Sequence, residues 1–144
     1  MSTVQAGIAQ PKPLTVPNSD FCEFAGTLNA EELAAVKQVR VFMEHKVAPI
    51  INKYWADDAF PFELLPALKE PNIDGLGLQG YGCGGGSQKL FGFVAMEIAR
   101  VDSSFCNFFG AHSSLAMGSI YLNGSEEQKR KWLPPMARLE KIGC

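Results

Sequence analysis

The segment that decides the fold is residues 29–54, NAEELAAVKQVRVFMEHKVAPIINKY. It starts with an amide at a helix N-cap, Asn29, and a carboxylate three residues later, Glu32, which is the capping-box pattern. Apolar side chains then recur at spacings of three and four residues, as on the buried face of an amphipathic helix. They are Leu33, Val36, Val39, Met43, Val47, Ile50 and Tyr54. The segment therefore predicts a long helix, which Pro49 bends or divides because proline disrupts a helix interior.

Helix-start and helix-stop residues divide the rest of the chain into further helices. We expect a short second helix from Pro61 and a third helix over 87–101 that is capped by Ser87. A fourth is expected over 103–122, capped by Asp102 or Ser103. A fifth begins with a capping box at Ser125 and stops at Pro134-Pro135, and a last turn covers 136–139. No stretch reads convincingly as a strand. The sequence therefore predicts an all-α fold, a bundle of five to six helices.

A glycine-rich loop separates the second and third predicted helices. Within it, residues 75–80 match the letters GxGxxG. A dinucleotide fingerprint needs a strand before the glycines and a helix opening at them. Here a helix precedes and more loop follows, so we do not interpret the segment as a dinucleotide site. Residues 84–87, GGGS, could present backbone N–H groups to an anion, but we interpret them as a flexible connection. No lysine follows in the position that a P-loop requires.

Composition and charge exclude several classes of function. The 144 residues carry a formal net charge of −2, which argues against a nucleic-acid partner because phosphate binding needs a basic surface. No stretch approaches the roughly 20 apolar residues of a membrane span. Residues 1–10 lack the basic start and apolar run of a secretory signal. We therefore expect an intracellular protein, cytoplasmic in a bacterium and peroxisomal or mitochondrial in a eukaryote.

The four cysteines indicate neither a disulfide framework nor a metal site. No two of them form a CxxC pair, and none stands at zinc-ligand spacing from a histidine. They are Cys22, Cys83, Cys106 and Cys144. We interpret all four as reduced thiols, and we predict no metal ligand.

One domain preceded by a leader is expected. Residues 1–27 lack helical periodicity and contain Pro11, Pro13 and Pro17, which is typical of a mobile leader. Residues 28–144 form the helical domain.

The fourth predicted helix is apolar on every side, so every side has to be covered. Two interpretations remain open. Either it is the central helix of a small bundle, or one side faces a partner domain, a subunit or an apolar ligand. The end of the chain at Lys141 to Cys144 caps no element, which favours the second interpretation.

The polar residues within the helices suggest structural roles. We expect His112 to donate to a backbone carbonyl in the core, and His45 to face solvent. Glu97 is a carboxylate in an apolar helix and needs a partner, for which Arg100 three residues later is the candidate. Arg100 and Asp102 are too close in sequence to face each other, so each is expected to reach elsewhere. No nucleophile, base and acid stand together, and we predict no catalytic residue.

Three segments together resemble the acyl-CoA dehydrogenase family, which includes flavin-dependent acyl-CoA oxidases. They are AMEIARVDSS at 95–104, HSSLAM at 112–117, and GSEEQK at 124–129 followed by KWLPPMA at 131–137. Upstream pieces fall in the same order, and the resemblance covers about residues 25–144. Each piece is weak alone, whereas their order and spacing are specific.

The resemblance implies a three-part subunit with a helical N-terminal domain, a β-barrel-like middle domain and a C-terminal four-helix bundle. It implies FAD as cofactor, a fatty acyl-CoA as substrate, and a homo-oligomer, tetramer or dimer. The flavin contacts and the glutamate that removes the α-proton belong to the later domains in this family. The chain is therefore expected to be truncated before the middle domain, to hold no flavin-binding residue and to be inactive alone.

Gapless matching to the family also suggests one wall of the acyl-chain pocket on the fourth helix. It assigns substrate binding to Cys106, Asn107, Gly110, Ala111 and Ser114. Family members that act on glutaryl-CoA carry an arginine at the position of Cys106. We therefore expect a monocarboxylic acyl-CoA, and the phenylalanines at 105, 108 and 109 favour short or medium chains.

Several alternatives and departures accompany this resemblance. The loop at 81–84 resembles that of short-chain acyl-CoA oxidases, so dehydrogenase and oxidase both remain open. Pro71 and Asp74 stand where the family usually has an aliphatic and often a small residue, which weakens the second helix and suggests a shortened or eroded gene product. A different class of function is a non-catalytic helical module that binds a partner subunit or apolar ligand through helix 103–122.

Overall fold

The computed structural model describes Asp20, residues 22–69 and residues 73–143. These residues form four helical runs and no strand, which confirms the all-α prediction with fewer helices than the five or six expected. Helix α1 covers 30–56 as Ala30–Phe42, a π-helical turn at Met43–Val47, and Ala48–Ala56. Helix α2 is Gln88–Ala99, α3 covers 103–123 as Ser103–Phe109, π-helical Gly110–Ala116 and Met117–Asn123, and α4 is Glu126–Ala137. Single 3-10 turns lie at Phe24–Thr27, Phe62–Leu64 and Ala67–Lys69.

The predicted capping residues start the helices. Asn29 and Glu32 form the reciprocal capping box of α1, with Asn29 Oδ1 accepting from the Glu32 amide at 2.9 Å. The Ser125 and Gln128 pair does the same for α4. Ser87 caps α2 by accepting from the Leu90 amide. Each of these contacts spans three residues, so local sequence was sufficient to find it.

The buried face of α1 changes register at its π-helical turn. Up to that turn the predicted stripe is right, and Val36, Val39 and Met43 are buried. Beyond it Ile51 is buried, whereas the predicted Ile50 is only half-buried. A π turn adds one residue to a helix and so rotates the following face. The turn ends at Val47, two residues before Pro49, whose missing amide a regular helix could not accommodate without losing a hydrogen bond.

Two predicted helix boundaries are wrong. The expected second helix is only a pair of 3-10 turns flanking Pro66, and Pro61 precedes the first of them as its N-cap. Conversely, α4 does not stop at Pro134-Pro135 but runs through both to Ala137, so the first two residues of the expected last turn over 136–139 belong to the same helix. Leu133 and Met136 on either side of these prolines are buried, and this burial offsets the lost backbone bonds. Pro71, one of the two departures from the family pattern, lies outside the described residues.

The core has two parts. The larger lies between α1, α2 and the first half of α3, and includes Phe42, Val94, Ile98, Phe105 and Phe109. The smaller lies between α4, the second half of α3 and the glycine loop, and consists of Leu78, Met117, Leu133, Met136 and Ala137. Consecutive helices pack against each other, α1 on α2, α2 on α3 and α3 on α4. Helix α3 therefore joins both parts of the core.

Among the described residues, no helix combines the length and the apolar character needed to cross a bilayer.

Candidate functional site

The start of α3 is held by Asp102. Its Oδ1 accepts from the Phe105 amide at 2.7 Å, which is an N-cap bond, and its Oδ2 accepts from the Trp55 indole Nε1–H at 2.6 Å. Asp102 is buried, and its two hydrogen bonds link the end of α1 to the beginning of α3. The prediction that Arg100 and Asp102 reach different partners is confirmed, because Arg100 turns to Glu44 and Glu97 instead.

The candidate wall residues straddle the point where α3 changes from α- to π-helical. Asn107 lies in the last α-helical turn, whereas Gly110, Ala111 and Ser114 lie in the π-helical segment. Asn107 and Ser114 are exposed, and Gly110 and Ala111 are half-buried. Their spacing of three and four residues places them along one side of the helix. We call these four residues the candidate surface.

Cys106 is directed differently from the other four. Its thiol donates to the Ala95 carbonyl on α2, with 3.6 Å between sulfur and oxygen. Burial raises the pKa of this thiol, so it stays protonated at neutral pH. Cys106 therefore contributes a neutral, weakly polar group at the edge between α2 and the candidate surface.

The candidate surface carries only small side chains and leaves room above them. A Cβ added at Gly110 would meet no atom within 4 Å. Farther along the same helix Leu115 and Leu122 are 68% and 77% exposed. The opposite side of α3 is buried through Phe105, Phe109 and Met117. Within the described part of the chain, α3 is thus packed on one side and open on the other.

His112 is a core residue, as predicted. It is fully buried, and its Nε2 lies 3.1 Å from the Met136 carbonyl of α4. The Gly143 amide donates to the other ring nitrogen, Nδ1, at 3.1 Å. Burial lowers the pKa of His112, which keeps the ring neutral. His45 is exposed, as predicted.

Glu97 belongs to a larger ionic cluster than the sequence suggested. The predicted partner is present, with Arg100 Nε 3.1 Å from Glu97 Oε2. Sequence reasoning missed Arg40, whose guanidinium binds both Glu97 oxygens from α1, and Glu44, whose Oε1 lies 2.5 Å from Arg100. Arg40 and Glu44 lie on the charged side of α1, and no local signal pairs them with α2. The cluster fixes α1 against α2 and holds no reactive group.

The glycine loop is filled by the protein's own atoms. Gly75 has a positive φ, and a Cβ there would lie 2.9 Å from both Cys83 Cβ and Met117 Cε. At Gly77 an added Cβ would overlap the Gln88 side-chain amide. Close approach between chain segments therefore explains these two glycines, so the GxGxxG letters here reflect packing of the loop.

Asp74 is the unexpected feature of this loop. Its side chain is buried, and the loss of solvation raises its pKa to about 7. Its backbone carbonyl accepts from the Gly84 amide at 2.8 Å, which closes the loop. The sequence marked Asp74 only as a departure from a family pattern.

The described residues contain no group of three or more His, Cys, Asp or Glu side chains that could hold a metal ion. Cys22, Cys83 and Cys106 are free thiols, and Cys144 lies outside the described residues. Burial raises the pKa of Cys83 as it does that of Cys106, so neither is an activated nucleophile.

The sequence model of a known family, described as the acyl-CoA dehydrogenase N-terminal domain, matches residues 29–140. This chain belongs to that family. Among curated proteins it is 32% identical over 118 residues to a short-chain specific acyl-CoA dehydrogenase of Clostridium acetobutylicum, covering 81% of this chain and 31% of the relative.

Solved structures of acyl-CoA dehydrogenases share the fold. A glutaryl-CoA dehydrogenase from Mycobacterium smegmatis in complex with FADH2 superimposes with a TM-score of 0.78 at 34% identity, over 84% of this chain and 31% of that one. A butyryl-CoA dehydrogenase from Megasphaera elsdenii gives a TM-score of 0.74 at 26% identity, over 80% and 31%. The chain thus spans about a third of the length of these acyl-CoA dehydrogenases.

Neither the glycine loop nor the candidate surface fits a flavin dinucleotide by itself. The glycine loop is the segment whose sequence is most similar to a phosphate-binding pattern. The space beside its glycines at 75 and 77 is already filled by Cys83, Met117 and Gln88. The candidate surface offers small neutral side chains and no cation that could pair with a diphosphate.

Proposed function

We propose that this chain is the N-terminal helical part of an FAD-dependent acyl-CoA dehydrogenase or oxidase, and that its candidate surface forms one wall of the acyl-chain pocket. The observation that carries the proposal is the family match over residues 29–140. The open side of α3 supports the location of the wall, since Asn107 and Ser114 are exposed and a Cβ added at Gly110 would meet no atom within 4 Å.

In the intact enzyme this wall binds and orients the substrate without taking part in bond changes. An acyl chain laid along Asn107, Gly110, Ala111 and Ser114 loses water from its methylene groups, which favours binding by about 0.8 kcal/mol for each group buried. FAD, when bound in the intact enzyme, would supply the acceptor for the hydride from the β-carbon, and the α-proton would go to a base outside these residues. The chain alone is therefore inactive.

The charge of the wall favours a monocarboxylic acyl group. No lysine or arginine occurs anywhere in α3, and Cys106 presents a protonated thiol. A distal carboxylate placed against this surface would lose its hydration without gaining a cationic partner. Although one similar structure is a glutaryl-CoA dehydrogenase, the substrate proposed here is a short or medium monocarboxylic acyl-CoA.

We also propose that the intact protein is a homo-oligomer, a tetramer or dimer, in an intracellular compartment. That compartment is the cytoplasm of a bacterium, or the mitochondrion or peroxisome of a eukaryote. The free thiols at Cys22, Cys83 and Cys106 support a reducing environment.

A chimera tests the proposed function. Residues 29–140 replace the matching segment of the Clostridium acetobutylicum short-chain enzyme, and that enzyme itself serves as the control. We expect a yellow protein that oxidises butyryl-CoA and leaves glutaryl-CoA unchanged. A folded chimera that binds FAD but does not oxidise butyryl-CoA contradicts the proposal, and turnover of glutaryl-CoA contradicts the substrate class.

The 144-residue chain alone provides a second test. Circular dichroism is expected to show helix, and absorbance near 450 nm is expected to show no flavin. A monodisperse yellow protein would mean that these residues build the flavin site, contrary to the proposal.

The exposure of Leu115 and Leu122 supports a second candidate, a non-catalytic helical module that binds a partner through α3. An inactive chimera together with a stable, monodisperse and colourless chain would favour this alternative.

A further inference from the structure

The segment that follows α4 folds back onto α3. Leu139 takes a left-handed backbone conformation with φ 53°, and the Glu140 amide donates to the Pro135 carbonyl at 2.9 Å. This arrangement is a Schellman-type helix end, which reverses the chain direction. Residues 140–143 are thereby directed toward the π-helical part of α3.

His112 receives this segment at its end. Because the Gly143 amide donates to Nδ1, that nitrogen carries no proton, and Nε2–H is the atom that donates to the Met136 carbonyl. The ring thus joins α3, α4 and the segment after α4 through one neutral tautomer. The ring is fully buried, and each of its two nitrogens has a hydrogen-bond partner.

The fit at Gly143 is as specific as the hydrogen bond. A Cβ at this position would overlap Ala116 Cβ and lie 2.8 Å from Met136 Cε. Only glycine lets the backbone come close enough for its amide to reach the imidazole. The contact therefore requires both the imidazole of His112 and the absence of a side chain at Gly143.

We propose that His112 is a positioning residue, whose neutral ring clasps Gly143 and Met136 and so holds residues 140–143 against the helix segment that carries Gly110, Ala111 and Ser114. Protonation of Nδ1 replaces its lone pair with a second N–H and removes the acceptor that Gly143 needs. This pair of hydrogen bonds, which we call the clasp, therefore breaks in acid. It does not depend on acyl-CoA chemistry and holds whether or not the proposed function is right.

Among the described residues, none of the groups that contact the ring carries a charge that would compensate a proton. It faces the Phe108 ring on its own helix at 5.9 Å between centroids, the Met136 carbonyl on α4 and the Gly143 amide. Arg138 and Glu140 pair with each other at the surface, and Lys141 is exposed. No carboxylate of the described residues forms an ion pair with His112.

Nitrogen NMR of the 144-residue chain gives the first test. At neutral pH we expect His112 to be in the Nε2–H tautomer, with a coupling across the hydrogen bond between the Gly143 amide and Nδ1. An Nδ1–H tautomer overturns the proposal without any substitution.

Two amide variants, each of which reproduces one of the two ring nitrogens, separate positioning from packing. In His112→Asn the side-chain oxygen takes the place of Nδ1 and keeps the Gly143 bond, whereas in His112→Gln the amide nitrogen takes the place of Nε2 and keeps the Met136 bond. Amide exchange of Gly143, divided by its intrinsic rate at each pH, is expected to stay slow in the first variant and to speed up about tenfold in the second. His45→Asn, at an exposed histidine, is the control and should change nothing.

The pH dependence completes the test. In the unchanged chain the protection of Gly143 should fall as the pH drops below 6.5, the ordinary pKa of histidine, and in His112→Asn it should not. Equal protection in the Asn and Gln variants, or protection in the unchanged chain that does not fall in acid, overturns the clasp.

Discussion

The Arg40 guanidinium on α1 binds both carboxylate oxygens of Glu97 on α2, although 57 positions separate the two residues in sequence. Glu97 is only 6% exposed, and Arg100 contacts it from the other side. Arg100 in turn reaches Glu44 on α1. Charges of alternating sign therefore join the two helices, and the carboxylate of Glu97 stands between two guanidinium groups.

Glu97→Gln should destabilise the 144-residue chain by about 3 kcal/mol, because it keeps the shape of the side chain but leaves Arg100 poorly compensated in a buried position. The measurement is the free energy of unfolding in urea. Glu127→Gln, at an exposed glutamate of α4, is the matched control and should stay within about 0.5 kcal/mol. Equal stability of the two variants would show that the cluster does not hold the helices together.

The contrast between Glu97 and the helix caps shows which parts of this fold the sequence could predict. The caps at Asn29, Ser87 and Ser125 join residues three apart, so a short stretch of sequence contains both partners. Arg100 was found for Glu97 by the same local rule. Arg40 was not, because its position opposite Glu97 exists only after α1 packs on α2.

The misplaced boundaries have a similar cause. The prolines at 134 and 135 end a helix by their local chemistry, and only the burial of Leu133 and Met136 on the same helix opposes this. The π-helical turns in α1 and α3 likewise leave no pattern in the residues that form them. The candidate surface was assigned by family resemblance alone, because no periodicity distinguishes a pocket wall from an ordinary exposed face.

Asp74→Asn should change how stability depends on pH. Burial raises the pKa of this carboxyl from 3.8 to about 7, so between these values the folded chain holds a proton that the unfolded chain has lost. The unfolding free energy of the unchanged chain should therefore fall as the pH rises through this range, by up to about 4 kcal/mol. Because asparagine cannot ionise, Asp74→Asn removes the cost of holding a buried carboxylate and should make the chain more stable above pH 7.

The comparison requires unfolding curves from pH 4 to 8 for Asp74→Asn and for Asp57→Asn, an exposed aspartate near the end of α1. His112 contributes with the opposite sign, because its lowered pKa removes stability as the pH falls below 6.5. Subtracting the curve of the unchanged chain from that of Asp74→Asn cancels the histidine contribution. A difference that does not vary with pH would show that Asp74 is ionised as usual.

Gly75→Ala should be more harmful than Gly80→Ala. Both glycines have a positive φ, 70° and 80°, so alanine is strained at either position by about 1 kcal/mol. At Gly80 a Cβ meets nothing, whereas at Gly75 it collides with Cys83 and Met117. We therefore expect a further loss of about 2 kcal/mol at Gly75. Thermal unfolding of the two variants measures this difference directly, and equal losses would mean that the loop is not packed against α3.

Gly110→Leu separates a role in the pocket from a role in folding. A Cβ at this position meets no atom within 4 Å, and leucine favours a helix more than glycine does, so the 144-residue chain should be as stable as before or up to about 1 kcal/mol more stable. If Gly110 is part of the acyl wall, the added side chain occupies space that the substrate needs. In the chimera, kcat/KM for a medium-chain acyl-CoA should then fall by about tenfold relative to that for butyryl-CoA. Gln38→Leu adds the same side chain at an exposed position of α1 and should leave the ratio unchanged. A ratio that moves equally in both variants, or in neither, would place the acyl chain elsewhere than on this side of α3.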